Sequence, residues 1–117
     1  MRRNGHKFNA VKTVIDGITF ASKAEARRYA ELKLLEKAGQ IEYLTLQPRY
    51  DIYSMKFNDM PIKIGFYKAD FRYFALLPSY EWKCIVEDVK GVKTEAYRLK
   101  KKLVEAQYGI TITEITR

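Results

Sequence analysis

A chain of 117 residues, 47% hydrophobic and 14% aromatic, has the material for one folded domain with a real core, which excludes a disordered polar chain. Its 22 Lys and Arg against 14 Asp and Glu leave a formal charge of +8, which favours a polyanionic partner, nucleic acid first. No apolar run approaches the ~20 residues that span a bilayer, so no membrane partner is expected.

Residues 1–11 read as a basic flexible arm carrying Arg2, Arg3 and Lys7, and 12–117 as a single domain. The arm has charge but no apolar stretch behind it, so a cytoplasmic protein is expected rather than a secreted one. "TVIDGITF" places Asp16-Gly17 between two short apolar runs, the residue pair preferred in a two-residue hairpin turn. A helix follows with both ends marked. Ser22 is its cap, Glu25 stands in capping-box position three residues on, and Gly39 suits its end. Its inward arc is predicted to hold Ala26, Tyr29, Leu32 and Leu35, with Glu25 on the same side.

From Gln40 the texture turns to β. "IEYLTL" and "RYDIYSMKF" read as strands separated at Gln47-Pro48, Asn58-Asp59 as a turn, and "PIKIGFYKADFRYFAL" as one long run of alternating aromatics. Pro78-Ser79 turns the chain into "YEWKCIVEDVKG". A second helix is predicted from a Thr94 cap to Tyr108 and Gly109, with Leu99, Leu103 and Ala96 on its apolar side, and "ITITEIT" closes as a strand. The order implies an α/β fold: a central mixed β-sheet flanked by helices, with an N-terminal hairpin and a β-α-β unit from Tyr80 to Thr113.

The candidate chemistry lies in "VEDVKG". Successive strand residues face opposite ways, so Val86, Asp88 and Lys90 share one face and Ile85, Glu87 and Val89 the other. A lysine beside a carboxylate cluster suits a site in which acids hold a divalent ion and the lysine orients a water or a phosphate. One histidine and one cysteine cannot build a zinc-type cluster, so carboxylates must hold any metal, which selects Mg²⁺ or Mn²⁺. Asp70, in an aromatic-rich strand, and Glu25, on the inward arc of the first helix, are the candidate partners. Glu87 is expected to serve as a hydrogen-bond partner towards a helix. Cys84 reads as a small core residue.

Ordinary structural roles compete with each of these. A capping box by itself explains Glu25, and an exposed pair at a strand end explains Asp88 and Lys90. Gln47 can orient a water or a nucleic-acid backbone, or simply fill a strand edge. Lys93, Arg98, Lys100, Lys101 and Lys102 form a basic set that either contacts phosphates or is merely solvated. Of these, Lys100 is expected to lay its stem along the sheet with its ammonium at the site mouth. Tyr67, Phe71, Tyr73 and Phe74 read as core rather than as a base-stacking platform.

An acid on an early helix, an Asp on a strand, D-x-K on the next strand and then a basic helix resemble the PD-(D/E)XK nuclease superfamily. "DGITFASKAEARRYAELKLLEKAG", "LQPRY", "ADF" and "EDVKG" resemble a family of small uncharacterised phage and prophage proteins placed there. The order Glu, Gln-Pro, Asp, acidic-x-Lys is similar to that of transposon end-cleaving endonucleases, although Ala69 stands where the motif's name has Pro. The resemblance implies a Mg²⁺-dependent endonuclease hydrolysing DNA, with branched or structured DNA of phage recombination as its substrate class and no small-molecule cofactor. Asp70, Asp88 and the Val89 carbonyl would hold the ion, Glu25 would complete the site and Lys90 would position the attacking water. Symmetric cutting of two strands would need a homodimer. The alternatives are a non-catalytic nucleic-acid-binding module on the same fold, or an adaptor docking an acidic protein.

Overall fold

The computed structural model describes residues 11–116; the basic arm, apart from Val11, lies outside the described residues. The chain forms a strand hairpin, β1 (Thr13–Ile15) and β2 (Ile18–Phe20), then helix α1 (Lys23–Lys37). Strands β3 (Ile41–Leu46), β4 (Arg49–Met55), β5 (Pro61–Lys68), β6 (Phe71–Leu76) and β7 (Trp82–Lys90) follow, then α2 (Glu95–Tyr108) and β8 (Ile112–Thr116).

Local chemistry sets the turns and caps where the sequence places them. Asp16 and Gly17 both take positive φ, 54° and 75°, the conformation of a type I′ turn between β1 and β2. The Ser22 hydroxyl accepts a hydrogen bond from the Glu25 backbone N–H, closing the first turn of α1. At the other end Gly39 sits at φ 78°, with its N–H bonded to the Glu36 carbonyl and that of Gln40 to the Leu35 carbonyl, a Schellman closure. Thr94 caps α2 through the Tyr97 N–H, and Gly109 ends it in the left-handed region.

The central sheet has the order β3-β6-β7-β8, with β3, β6 and β7 antiparallel and β7 parallel to β8 through α2. A mixed sheet with a crossover helix is therefore the observed architecture. The alternating run from Pro61 to Leu76 is two strands rather than one. The break falls at Ala69-Asp70, where the Ala69 N–H bonds to the Pro48 carbonyl and the Asp70 N–H to the Glu87 carbonyl. There the chain leaves the separate β4–β5 hairpin and enters the central sheet.

Two apolar clusters cover the sheet. Phe20, Ala26, Tyr29, Leu32, Ile41, Phe71 and Tyr73 pack under α1 and the first hairpin. Tyr50, Ile52, Tyr67, Val86, Tyr97, Val104 and Ile112 pack among the β4–β5 hairpin, α2, β7 and β8. Leu32 is fully buried, so Leu32→Ala should cost about 3–5 kcal/mol of stability. Urea unfolding checks this by a lowered midpoint at an unchanged slope.

Three expectations about burial are corrected. Leu35 is exposed along with Leu34, because the last turn of α1 stands clear of the packed face. On α2 the packed stripe runs through Tyr97 and Val104, with Leu103 partly buried, and Leu99 is 60% exposed. Cys84 is exposed. The pairing of β8 with β7 begins at Val86, which, among the described residues, leaves the preceding part of β7 with β6 as its only strand neighbour.

Candidate active site

β7 carries ionisable groups on both of its faces, and the fold gives each face a different partner. Towards α1, the buried Glu87 carboxylate accepts two hydrogen bonds from the Arg28 guanidinium, at 2.8 and 2.6 Å, and one from the Tyr73 hydroxyl. This is the helix-facing role its strand position predicts. The paired carboxylate holds the Arg28 guanidinium well above its ordinary pKa. Burial, together with that bond, raises the Tyr73 phenol. Glu87 is thus a satisfied structural acid.

Towards α2 stands Asp88, 1% exposed. Its carboxyl receives the Tyr67 hydroxyl, and the Lys90 ammonium lies 3.8 Å away. Lys90 in turn stands over the Tyr97 ring, 4.5 Å from its centroid. The Tyr97 hydroxyl bonds to Glu114, so the ring is fixed from its far end.

Asp70 occupies the junction of β3, β6 and β7. Its carbonyl accepts the Gln47 N–H, and its carboxylate accepts the Val89 N–H at 2.7 Å. That carboxylate also stands near enough to the Asp88 carboxyl to disfavour its charge. Burial, followed by this acidic neighbour, pushes Asp88 up to about 8, against the opposing pull of Tyr67 and Lys90. Glu25, Gln47 and Asp70 line one recess of about 220 Å³ together with Phe20, Leu46 and Phe71. Gln47 takes φ 51° before Pro48, which turns the chain out of the central sheet at the recess wall. The N–H of Ala69, donated to the Pro48 carbonyl, accounts for the departure from the motif's proline, since proline has no such donor.

The structure therefore sets Asp88, Val89 and Lys90 beside Asp70, which shares a separate recess with Glu25 and Gln47. It divides the predicted basic set. Lys93 and Lys101 are bound to Glu114, at 3.1 and 3.4 Å, and share a recess with Arg98 and Lys102. Lys100 alone of the set lines the cleft that holds Lys90, Tyr67 and Tyr97, its ammonium 6.0 Å from the Phe66 ring. Lys100 thus shares a cleft with Lys90. Of the four aromatics expected in the core, Tyr67, Phe71 and Tyr73 are buried and Phe74 is exposed.

A family model described as "Protein of unknown function (DUF1064)" matches residues 5–117. The chain belongs to the DUF1064 family. No curated protein and no solved structure matches it. The motif order seen in the sequence thus lies within this DUF1064 chain's matched span. The contacts it makes there include several the sequence did not signal. Tyr67 on Asp88 and Arg28 on Glu87 join residues 21 and 59 apart in sequence, Tyr97 under Lys90 joins β7 to the helix that follows it, and no local pattern marks them.

Among the described residues no group of three or more His, Cys, Asp or Glu side chains stands ready to hold a metal. The pair Asp70–Asp88 is what this DUF1064 chain offers. A buried Asp88 carboxyl, pushed up to about 8, beside the half-buried Asp70 carboxylate forms a hard-oxygen donor pair that Mg²⁺ or Mn²⁺ would fit, because a dication relieves the repulsion between the two acids.

Proposed function

We propose that the protein is a divalent-metal-dependent deoxyribonuclease of the PD-(D/E)XK kind, hydrolysing phosphodiester bonds in DNA. The observation that carries this reading is the buried Asp88 carboxyl, pushed up to about 8 by burial and by the neighbouring half-buried Asp70, with Lys90 3.8 Å away. Strongly perturbed acids with a specific partner gather at functional sites.

Asp70 and Asp88 would hold the ion, with the Val89 carbonyl and Glu25 as further donors. A bound Mg²⁺ supplies Lewis-acid polarisation of the phosphate and a more acidic water. The chain's own residues do the positioning. Tyr67 fixes the Asp88 carboxyl and the Val89 N–H fixes that of Asp70. The Lys90 ammonium, braced by Asp88 and the Tyr97 ring, orients the attacking water and offsets charge developing on the phosphate. Gln47, on the recess wall with Asp70, contacts the same water or the adjacent backbone. Lys100 contributes a phosphate contact at the mouth of the neighbouring cleft.

The test is cleavage of labelled duplex, single-stranded, flapped and four-way-junction DNA with Mg²⁺, Mn²⁺ or EDTA. Metal-dependent cutting is expected, reduced about 10²–10³-fold in Lys90→Ala with DNA binding retained. Cutting that persists in EDTA, or is untouched by Lys90→Ala, would overturn the mechanism. Salt-sensitive binding with no cutting of any substrate would assign the protein to the non-catalytic binding modules instead.

A further inference from the structure

Beside the Lys90 cleft an aromatic ring stands in the open. Phe66, on β5, is 41% exposed although its strand neighbour Tyr67 is buried. Three cations surround it. The Arg49 guanidinium lies over one face of the ring, 4.0 Å from the centroid, and the ammonium groups of Lys68 and Lys100 each stand 6.0 Å away. Among the described residues, only Arg49 of the three has an acidic side-chain partner, Asp51 at 3.0 Å, which also carries Lys63 at 3.4 Å. These bonds hold the Asp51 carboxyl below its ordinary pKa. Phe66, Lys68 and Lys100 line the same cleft of about 350 Å³ as Lys90 and Tyr97.

Core packing does not require this arrangement. An exposed phenyl gains nothing from water, and three cations within reach of one ring repel one another unless an anion joins them. The ligand that complements a flat apolar ring flanked by cations is a nucleotide. Its base stacks on the ring while its phosphates meet the lysines, and stacking tolerates any sequence because every base has a π-face. A base inside a duplex is already stacked and cannot offer its face. We infer that Phe66, with Arg49, Lys68 and Lys100, forms a stacking subsite for an unpaired nucleotide of a DNA strand whose backbone continues past Lys100 into the Lys90 cleft.

The inference rests on the nuclease reading for the direction of the strand, and it names the substrate class: DNA with an unstacked end or junction rather than continuous duplex. Arg49 and Asp51 hold one side of the ring in place, so the subsite exists before the ligand arrives.

The experiment measures binding in EDTA by fluorescence anisotropy, using labelled blunt duplex and the same duplex with a single-stranded tail. Phe66→Leu keeps an apolar side chain but removes the stacking plane, and Phe66→Trp restores it. Affinity for tailed DNA should fall about 5- to 100-fold in Phe66→Leu, the range for losing one base–aromatic stack. It should recover in Phe66→Trp, with blunt duplex changed less than about twofold. Equal losses on both DNAs, no loss on either, or failure of tryptophan to rescue each overturns the subsite. Displacement of the tail by micromolar dTMP would replace the strand with a free mononucleotide and overturn it also. Because no cutting is measured, loss of the nuclease reading shows separately, as tail-specific binding without metal-dependent cleavage in the Lys90→Ala comparison.

Discussion

Asp88→Asn should make the metal-free protein more stable, by about 2–4 kcal/mol near pH 8, while removing metal-dependent cutting. The Asp88 carboxyl moves from an ordinary 3.8 to about 8 in the folded state, because burial and Asp70 disfavour its charge. The sign follows from proton linkage. Between those two values the folded chain holds a proton that the unfolded chain has lost, so Asp88's contribution to stability falls as pH rises through that window. Each unit of difference is worth about 1.4 kcal/mol, which bounds the cost at about 6 kcal/mol before the site relaxes. An uncharged amide of the same shape escapes that cost. Thermal unfolding at about pH 5 and pH 8 in EDTA checks it: the two proteins should converge at the lower pH and separate at the higher. Mg²⁺ should raise the wild-type midpoint at pH 8 and leave the variant's unchanged. A variant less stable than wild type at pH 8 would show that the ionised carboxylate is already compensated without metal.

The second large effect concerns the opposite face of the same strand. Arg28→Ala should destabilise the protein by about 3 kcal/mol, since it leaves the buried Glu87 carboxylate with the Tyr73 hydroxyl and without its cation. The loss should be much smaller when Glu87→Gln is combined with it, because the amide brings no charge to compensate. A double-mutant cycle by urea unfolding measures the coupling, and additive losses would show that the pair is not energetically linked. The Arg28–Glu31 contact along α1, exposed at its glutamate, contributes little. The two faces of β7 thus treat their acids differently. Glu87 is fully paired with a cation and a hydroxyl, whereas Asp88 is held against another acid with a lysine only at 3.8 Å.

Much of this was legible in order of increasing distance along the chain. The hairpin at Asp16-Gly17, the caps at Ser22 and Thr94 and the stops at Gly39 and Gly109 are local events governed by φ and by hydrogen bonds a few residues apart, and each stands where the sequence places it. Strict alternation likewise sorted Asp88 and Lys90 to one face of β7 and Glu87 to the other. Patterns that depend on what covers a surface were less legible. Cys84 is apolar in composition but lies where β7 outruns β8, and Leu99 lies on an exposed face of α2. The apolar positions in the run from Pro61 to Leu76 change face at Phe66-Tyr67 and alternate on through 69–70, so periodicity does not show that Ala69-Asp70 crosses between two sheets.

By itself, then, the sequence determined the element types, their ends, the side of each strand on which its charges fall, and the basic character that points to a polyanion. Only the tertiary structure decided which charges meet. It set Arg28 on Glu87, Asp70 and Tyr67 on Asp88, and Arg49, Lys68 and Lys100 around Phe66, while Lys93 and Lys101 were drawn to Glu114. The reason is physical. Backbone conformation and facing follow from neighbours within a turn or a strand, whereas the protonation and pairing of a buried acid depend on water exclusion and on partners that arrive from elements dozens of residues away.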